Sequence, residues 1–340
     1  MKQSVFSRAG RVLALCVLSV LAVSGVAWAV ANPVPLPADS IALLGLGGMI
    51  VNRENLNTVY TGFKTAFSQA FAGVAPSWGQ IATLVPSATK TEDYAWLGQW
   101  PKLREWIGDR HIKSLQASGY QLTNKKFESS VGVPRDDIED DTYGVLTPLF
   151  AEMGYAAATH PDELVFALLA AGHTTPCYDG QYFFDTDHPV GDGVVSNNLG
   201  GAGTPWYLLD NSRPLKPLIF QRRRDYALKA MTDEKDEAVF MRDEYRYGVD
   251  ARCNVGFGFW QMALRSAQTL DEANYKAARV ALMNMKSDEG RPLGVKPALL
   301  VVPPSLEADA LKLVQAEANA AGASNIYRNT AQVLVCPWLS

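Results

Sequence analysis

From Asn52 onward, Leu56, Tyr60, Phe63, Phe67 and Phe71 recur at spacings of three and four. That rhythm predicts an amphipathic helix with one aromatic face, stopped near Gly73. Either the chain's own core or a neighbouring chain can cover such a face. Residues Tyr120 to Val133 alternate loosely through Leu122, Phe127 and Val131 and read as strand. A second long helix is expected from Asp136 to Ala158, with Ile138, Val145, Leu146, Leu149 and Met153 in one stripe. Pro161 should break or kink it and open the next helix, whose buried face is Leu164, Val165, Leu168 and Leu169.

Further along, Phe240 to Arg265 reads as strand, alternating through Tyr245, Tyr247, Val249, Val255, Phe257 and Phe259. Gly256 and Gly258 there suggest close backbone packing or a bend. Thr269-Leu270-Asp271-Glu272 is a capping box for a helix reaching about Met285. Lys296 to Val302 reads as a buried strand, Ser305 as the cap of a helix reaching Ala321 and ended by Gly322, and Gln332 to Trp338 as a last strand. Strand, helix, strand in that order makes an α/β unit.

Composition narrows the function classes. The chain has 340 residues, 48% hydrophobic, with a formal net charge of -4. That ordinary balance supports one or two domains and offers no footprint for direct nucleic-acid binding. Arg222-Arg223-Arg224 is the only dense basic run; Asp225 follows it at once, and it reads as a solvated turn after a strand. Cys16 lies in the N-terminal apolar stretch, and Cys177, Cys253 and Cys336 are too scattered for a disulfide framework or a zinc ribbon, so reduced, mostly buried thiols are expected.

The most chemical-looking run is Pro176 to Val190, PCYDGQYFFDTDHPV. Asp179, Asp185, Asp187 and His188 place metal-ligand and acid–base groups within ten residues. A structural reading is equally physical. Asp179-Gly180 is a tight-turn dipeptide, Tyr182, Phe183 and Phe184 want burial, and Pro189 makes His188 extended. The acids Asp136, Asp137, Glu139, Asp140 and Asp141 suit a helix N-terminus better than a cation site. His160 and His173 lack a paired histidine at ligand spacing, and the loop from Gly191 to Gly203 lacks a phosphate-binding ending.

Several strings decide between these readings. They include CYDGQ-FFD-HPV in the run above, Trp96-Leu97-Gly98 with Pro101, Trp106 and Gly108, Phe127-Glu128 before Val131-Gly132-Val133, and Arg135-Asp136-Asp137. Pro161-Asp162-Glu163-Leu164, Pro205 to Asp210, Ile219-Phe220-Gln221, Gly258 to Ala263 and Val301-Val302-Pro303 follow in order. Together, from about Met49 nearly to the C-terminus, they resemble the major head subunit of Mu-like bacteriophages.

The resemblance implies an α+β Hong Kong 97-type tailed-phage major capsid fold. Its parts would be an N-terminal arm (49–90), an extended loop and peripheral domain with spine helix (91–175), and an axial domain with returning peripheral strands (176–340). It implies self-association into the pentamers and hexamers of an icosahedral shell that encloses DNA without reading its sequence. The implied partners are an internal scaffold and maturation protease, and a portal. No catalytic residue, cofactor or metal is expected. Candidate subunit-interface residues are Trp96, Trp100, Trp106, Phe63 and Phe67; for the tryptophans, burial in the chain's own core is the other reading.

Residues 1–48 conflict with this picture. Lys2, Arg8 and Arg11 precede an uncharged apolar stretch from Val12 to Ala31, with small-x-small sites at Ala27-Trp28-Ala29 and Ala29-Val30-Ala31. Alone, this is an export signal or a membrane span. A shell filled with DNA in the host cytoplasm needs neither, so translation from Met49, or removal of the segment, is expected. The alternative is an exported metal-dependent hydrolase using Asp185, Asp187 and His188. A tail or decoration protein of the same phage is a third option.

Overall fold

The computed structural model describes residues 53–98, 119–140, 144–287, 290–319 and 322–339. One compact unit takes in Asn52–Arg135 and Thr147–Ser340. The other takes in Met1–Val51 and Asp136–Leu146. Of the latter, the described part is mostly a single helical turn, α2 (Arg135–Glu139), where the Asp140 amide donates to the Asp136 carbonyl.

The larger unit is built on two four-stranded sheets. The first has the order β1-β8-β9-β4, from β1 (Ala82–Pro86), β4 (Lys125–Pro134), β8 (Leu218–Met231) and β9 (Glu244–Phe257). β8 and β9 form a fourteen-residue antiparallel hairpin, β4 pairs antiparallel with β9 along ten positions, and β1 lies parallel to β8. Alternation is strict along β9, where Tyr245, Tyr247, Val249, Ala251 and Cys253 are buried and their neighbours half-exposed. That face takes α1 (Arg53–Gly73) and α3 (Thr147–Ala171).

Aromatic rings join the three elements. Phe63 of α1 stacks on Phe150 of α3 at 4.0 Å, and both meet Tyr247 of β9 edge-on, at 5.4 and 5.1 Å. The Tyr60 hydroxyl donates to the Leu228 carbonyl at 3.0 Å. The aromatic face of α1 is therefore covered by its own chain. The helices touch most closely at Gly154, where an added Cβ would lie 2.3 Å from the Phe67 carbonyl oxygen.

The second sheet has the order β10-β7-β11-β12, from β7 (Trp206–Leu209), β10 (Ala263–Ser266), β11 (Leu299–Val302) and β12 (Gln332–Val335). Every residue of β7 and β11 is buried, as two-sided cover requires. The helices α5 (Glu272–Met283) and α6 (Glu307–Val314) pack on its strands. The antiparallel pair β2–β3 (Thr91–Asp93, Gln121–Thr123) and the short hairpin β5–β6 (His188–Val190, Gly193–Val195) complete the described strands. The single turn α4 (Glu237–Arg242) joins β8 to β9.

Several expectations need correction. The long helix begins at Thr147 rather than Asp136, and it runs through Pro161 without ending there. An internal proline costs about 3 kcal/mol. Burying Phe150, Met153, Val165, Phe166 and Leu169 outweighs that, at about 1.5–3 kcal/mol for each large side chain. The next residue, Asp162, is buried and accepts the Ser77 and Trp78 amides at 3.1 and 2.6 Å, tying the chain after α1 to α3. Helix α5 is capped by Asp271, which accepts the Asn274 amide at 2.8 Å, and not by Thr269.

Helix α6 stops at Val314, not Ala321, because Asn325 donates to the Leu313 and Ala316 carbonyls and supplies the cap. Phe240 lies in helix α4 rather than in strand. The basic run sits inside β8 at an irregular register, and it is paired: Arg222 with Asp225 at 3.0 Å, Arg224 with Asp250. Gly258 does lie in close packing, since its Cβ would meet the Lys216 carbonyl oxygen at 2.8 Å.

Two predictions follow from these contacts. Gly154→Ala should cost about 1–3 kcal/mol in urea unfolding, the range for overpacking. Gly62→Ala, on the open face of α1, should be neutral or stabilising by up to about 1 kcal/mol. The second concerns Glu92, whose carboxylate accepts from the Thr89 amide, the Ser87 hydroxyl and the Ala88 amide, which together lower its pKa from 4.5 to about 2. A lowered folded-state pKa adds stability that is complete above 4.5 and lost as pH falls through about 2. Protection of the Ala88 and Thr89 amides should persist at pH 4 and fade near pH 2, and a midpoint near 4.5 would contradict this.

Candidate functional site

The run from Cys177 to Val190 begins as a tight turn. The Cys177 amide donates to the Gln181 carbonyl at 2.8 Å, and the Gly180 amide to the Cys177 carbonyl at 3.2 Å. Gly180 sits at φ 87°, a left-handed conformation that favours glycine. Asp179 lies at the centre. One carboxylate oxygen accepts the Cys177 thiol at 3.0 Å and the Gln181 amide at 3.1 Å; the other accepts His188 Nδ1 at 2.8 Å.

His188 is fully buried and stacks face to face on Trp260, with centroids 3.9 Å apart and planes 9° apart. The Asp179 side chain keeps 11% exposure. Burial raises the Asp179 pKa, but the hydrogen bonds from His188 and Cys177 overcome it, so the carboxylate stays below its usual range. Burial first, then the Asp179 charge, pushes the Cys177 thiol up, so Cys177 is a protonated donor and not a nucleophile.

The aromatic part of the run is anchored as the turn dipeptide and ring pattern suggest. Phe183 stacks on Phe257 at 4.3 Å and meets Phe184 edge-on at 4.9 Å. Beneath them lies Asn197, fully buried. Its amide group donates to the Phe183 and Trp260 carbonyls at 2.8 and 3.3 Å, and its oxygen accepts the Asp185 amide at 2.9 Å. Sequence pattern gave no sign of Asn197 or Trp260. Asn197 falls in no recognisable motif, and Trp260, within the Gly258 to Ala263 string, carries no local sign that it stacks on His188.

The hydrolase constellation does not form. Asp185 binds the Tyr182 and Thr186 amides, Asp187 is exposed, and His188 turns to Asp179 instead. Asp185 and His188 are taken up by separate local contacts and Asp187 faces solvent, so the three do not converge on a substrate. Cys177, left aside as a plain buried thiol, is the side chain that joins Asp179 and His188. His160 meets the Tyr226 hydroxyl, and His173 the Ala170 carbonyl.

Interface candidates fare differently from one another. Phe63 and Phe67 are each 4% exposed, packed within their own chain, so the expectation that they face a partner is corrected. Trp96 is half-buried against Tyr94 and Phe259, in a small cluster with Leu97, Leu122 and Met262. Trp100, Trp106 and the apolar stretch from Val12 to Ala31 lie outside the described residues. An exposed apolar pair that sequence reading missed sits between β8 and β9, where Phe240 and Met241 are 81% and 69% exposed.

Comparison with known proteins places these features together. The family model for the Mu-like prophage major head subunit gpT matches residues 56–339. The Mu-like prophage FluMu major head subunit of Haemophilus influenzae is 44% identical over 282 residues, covering 79% of this chain and 92% of that protein. The major capsid protein of Escherichia phage Mu is 41% identical over 305 residues, covering 86% of this chain and all of that protein. Among solved structures, the procapsid of bacteriophage JBD30 matches with TM-score 0.76 and 52% identity over 85% of this chain and 100% of that one. The capsid of the same phage gives 0.69 and 39% over 86% of this chain.

Asn197→Ala should cost on the order of 2–3 kcal/mol, because it strands the Phe183 carbonyl and the Asp185 amide in a buried setting. Chemical denaturation would measure it. A cost under about 0.5 kcal/mol would mean that neither partner depends on Asn197.

Proposed function

Because the chain belongs to the Mu-like prophage major head subunit gpT family, we propose that its copies associate as pentamers and hexamers that close around phage DNA. The chain is a major capsid subunit of the Mu-like type, and it builds an icosahedral shell. Its fold is the α+β Hong Kong 97-type capsid fold. The observation that carries the reading is the family match from residue 56 to residue 339, which leaves no unmatched domain for a separate activity within that span.

Strands β4, β8 and β9 with α3 make up the peripheral domain, α3 being its spine, and the second sheet with α5 and α6 is the axial domain. Residues 49–90 act as the N-terminal arm, and the extended loop belongs with the peripheral domain in residues 91–175. The subunit does its work without catalysis: the acids and histidine of the 177–190 run hold turns. Its partners are further copies of itself, an internal scaffold and maturation protease, and a portal. DNA is enclosed without sequence-specific contact, which suits a net charge of -4 and a paired basic run.

Assembly takes place in the host cytoplasm, from a subunit that lacks residues 1–48. The match beginning at residue 56 supports this. Trp96, Trp100 and Trp106 anchor contacts between subunits, since large aromatic side chains dominate interface energetics.

Residues 49–340 expressed in a bacterial cytoplasm should sediment as rings, capsomers or shells visible by electron microscopy. Trp100→Ala should weaken that assembly while leaving cooperative unfolding intact. A well-folded monomer at high concentration would count against autonomous assembly. Mature particles carrying a peptide from Ser40 to Gly48 would refute the start at Met49.

A further inference from the structure

We propose that Cys177, Asp179 and His188 form a structural binding site for one borderline divalent cation, zinc being the best match. The Cys177 sulfur, an Asp179 oxygen and a His188 ring nitrogen all lie within 4.8 Å of one another. Zinc binds sulfur at about 2.3 Å and nitrogen or oxygen at about 2.0–2.2 Å, which sets tetrahedral ligands about 3–4 Å apart. The sulfur lies 3.0 Å from one Asp179 oxygen and His188 Nδ1 lies 2.8 Å from the other, at or just below the short end of that range.

The donor set matches the ion. One thiolate, one imidazole and one carboxylate are the soft, intermediate and hard ligands that zinc accepts together, whereas calcium and magnesium take oxygens. The charges match as well: a thiolate and a carboxylate neutralise a divalent cation. On binding, the ion replaces two hydrogen bonds to Asp179. The thiol proton leaves to solvent, and the imidazole proton passes from Nδ1 to Nε2, so that sulfur and Nδ1 each offer a lone pair.

Rigid surroundings hold the ligands. The turn fixes Cys177 and Asp179 through the backbone bonds of Cys177, Gly180 and Gln181. Trp260 clamps the His188 ring from one face. The Gln181 amide donates to Asp179, the kind of outer contact that orients a metal-binding carboxylate. Cys177 and His188 are buried and only Asp179 keeps a small opening, which leaves a water as the fourth ligand. The burial of Cys177 and His188 keeps a substrate away from that fourth position, so the ion would hold the turn and not turn over substrate.

The test uses the full-length chain purified without chelator. Elemental mass spectrometry should find about one zinc per chain. Exchange into cobalt should give a thiolate-to-cobalt charge-transfer band in the near ultraviolet. Cys177→Ala should abolish the band and the bound metal while keeping cooperative unfolding, and Cys253→Ser should keep both. Chelator should lower the melting temperature of the wild-type chain and not that of Cys177→Ala. A folded wild-type chain that takes up neither zinc nor cobalt would overturn the site, as would a cobalt band unchanged in Cys177→Ala. Neither result bears on shell assembly, which sedimentation reads separately.

Discussion

The constraint on which the larger unit depends is the cover of one long hairpin. A two-stranded ribbon of fourteen residues is not stable alone in water, because its buried face has nothing to pack against. Here β4 and β1 widen it into a sheet, and α1 and α3 close its apolar face. The stack of Phe63 and Phe150 on Tyr247 joins all three layers at one point. Such aromatic contacts add about 0.5–1.5 kcal/mol each beyond the area they bury. Gly154 lets the helices approach closely enough for that stack to form. The continuation of α3 through Pro161 follows from the same packing, since the buried side chains on either side of the proline keep the helix on the sheet.

The 177–190 run shows how residues that look catalytic can be used up by geometry. Asp179 and Asp185 each take up backbone amides near them, which holds turns in a segment with little regular structure. Asn197 does the same from below with two carbonyls and one amide. Buried polar groups in such a segment need partners, because an unpaired one costs about 1–3 kcal/mol. The run also connects the two sheets: Phe183 packs on Phe257 of β9, and Phe184 on Tyr207 of β7. Its polar groups therefore hold a junction of the core as well as a turn.

A shell subunit places its chemistry at its surface. The core described above makes each subunit self-sufficient, which leaves the remaining exposed apolar groups to contacts between copies. Closed symmetry repeats every such contact many times, so each can be modest in area. Phe240 and Met241, standing out from the end of the long hairpin, show how a rigid sheet can present apolar side chains away from its own core.

The sequence by itself determined the class and most of the elements. Alternation along β9, the aromatic rhythm of α1 and the apolar runs of β7 and β11 are local signals, and each element follows its own residues. The head-subunit resemblance was legible for the same reason, carried by short strings in order. Only the tertiary structure decided where elements end and what functional-looking side chains do. α3 passes Pro161 because of contacts made across the fold, and α6 stops at Val314 because Asn325, eleven residues later, supplies its cap. Phe63 and Phe67 belong to the core because α3 and β9 cover them. His188 meets Asp179 and Cys177 rather than Asp185 and Asp187 because a turn and the Trp260 ring, far away in sequence, fix its direction. Periodicity reports which face of an element is apolar, but the partner of that face, and the partner of each buried polar atom, is set by residues that meet only in three dimensions.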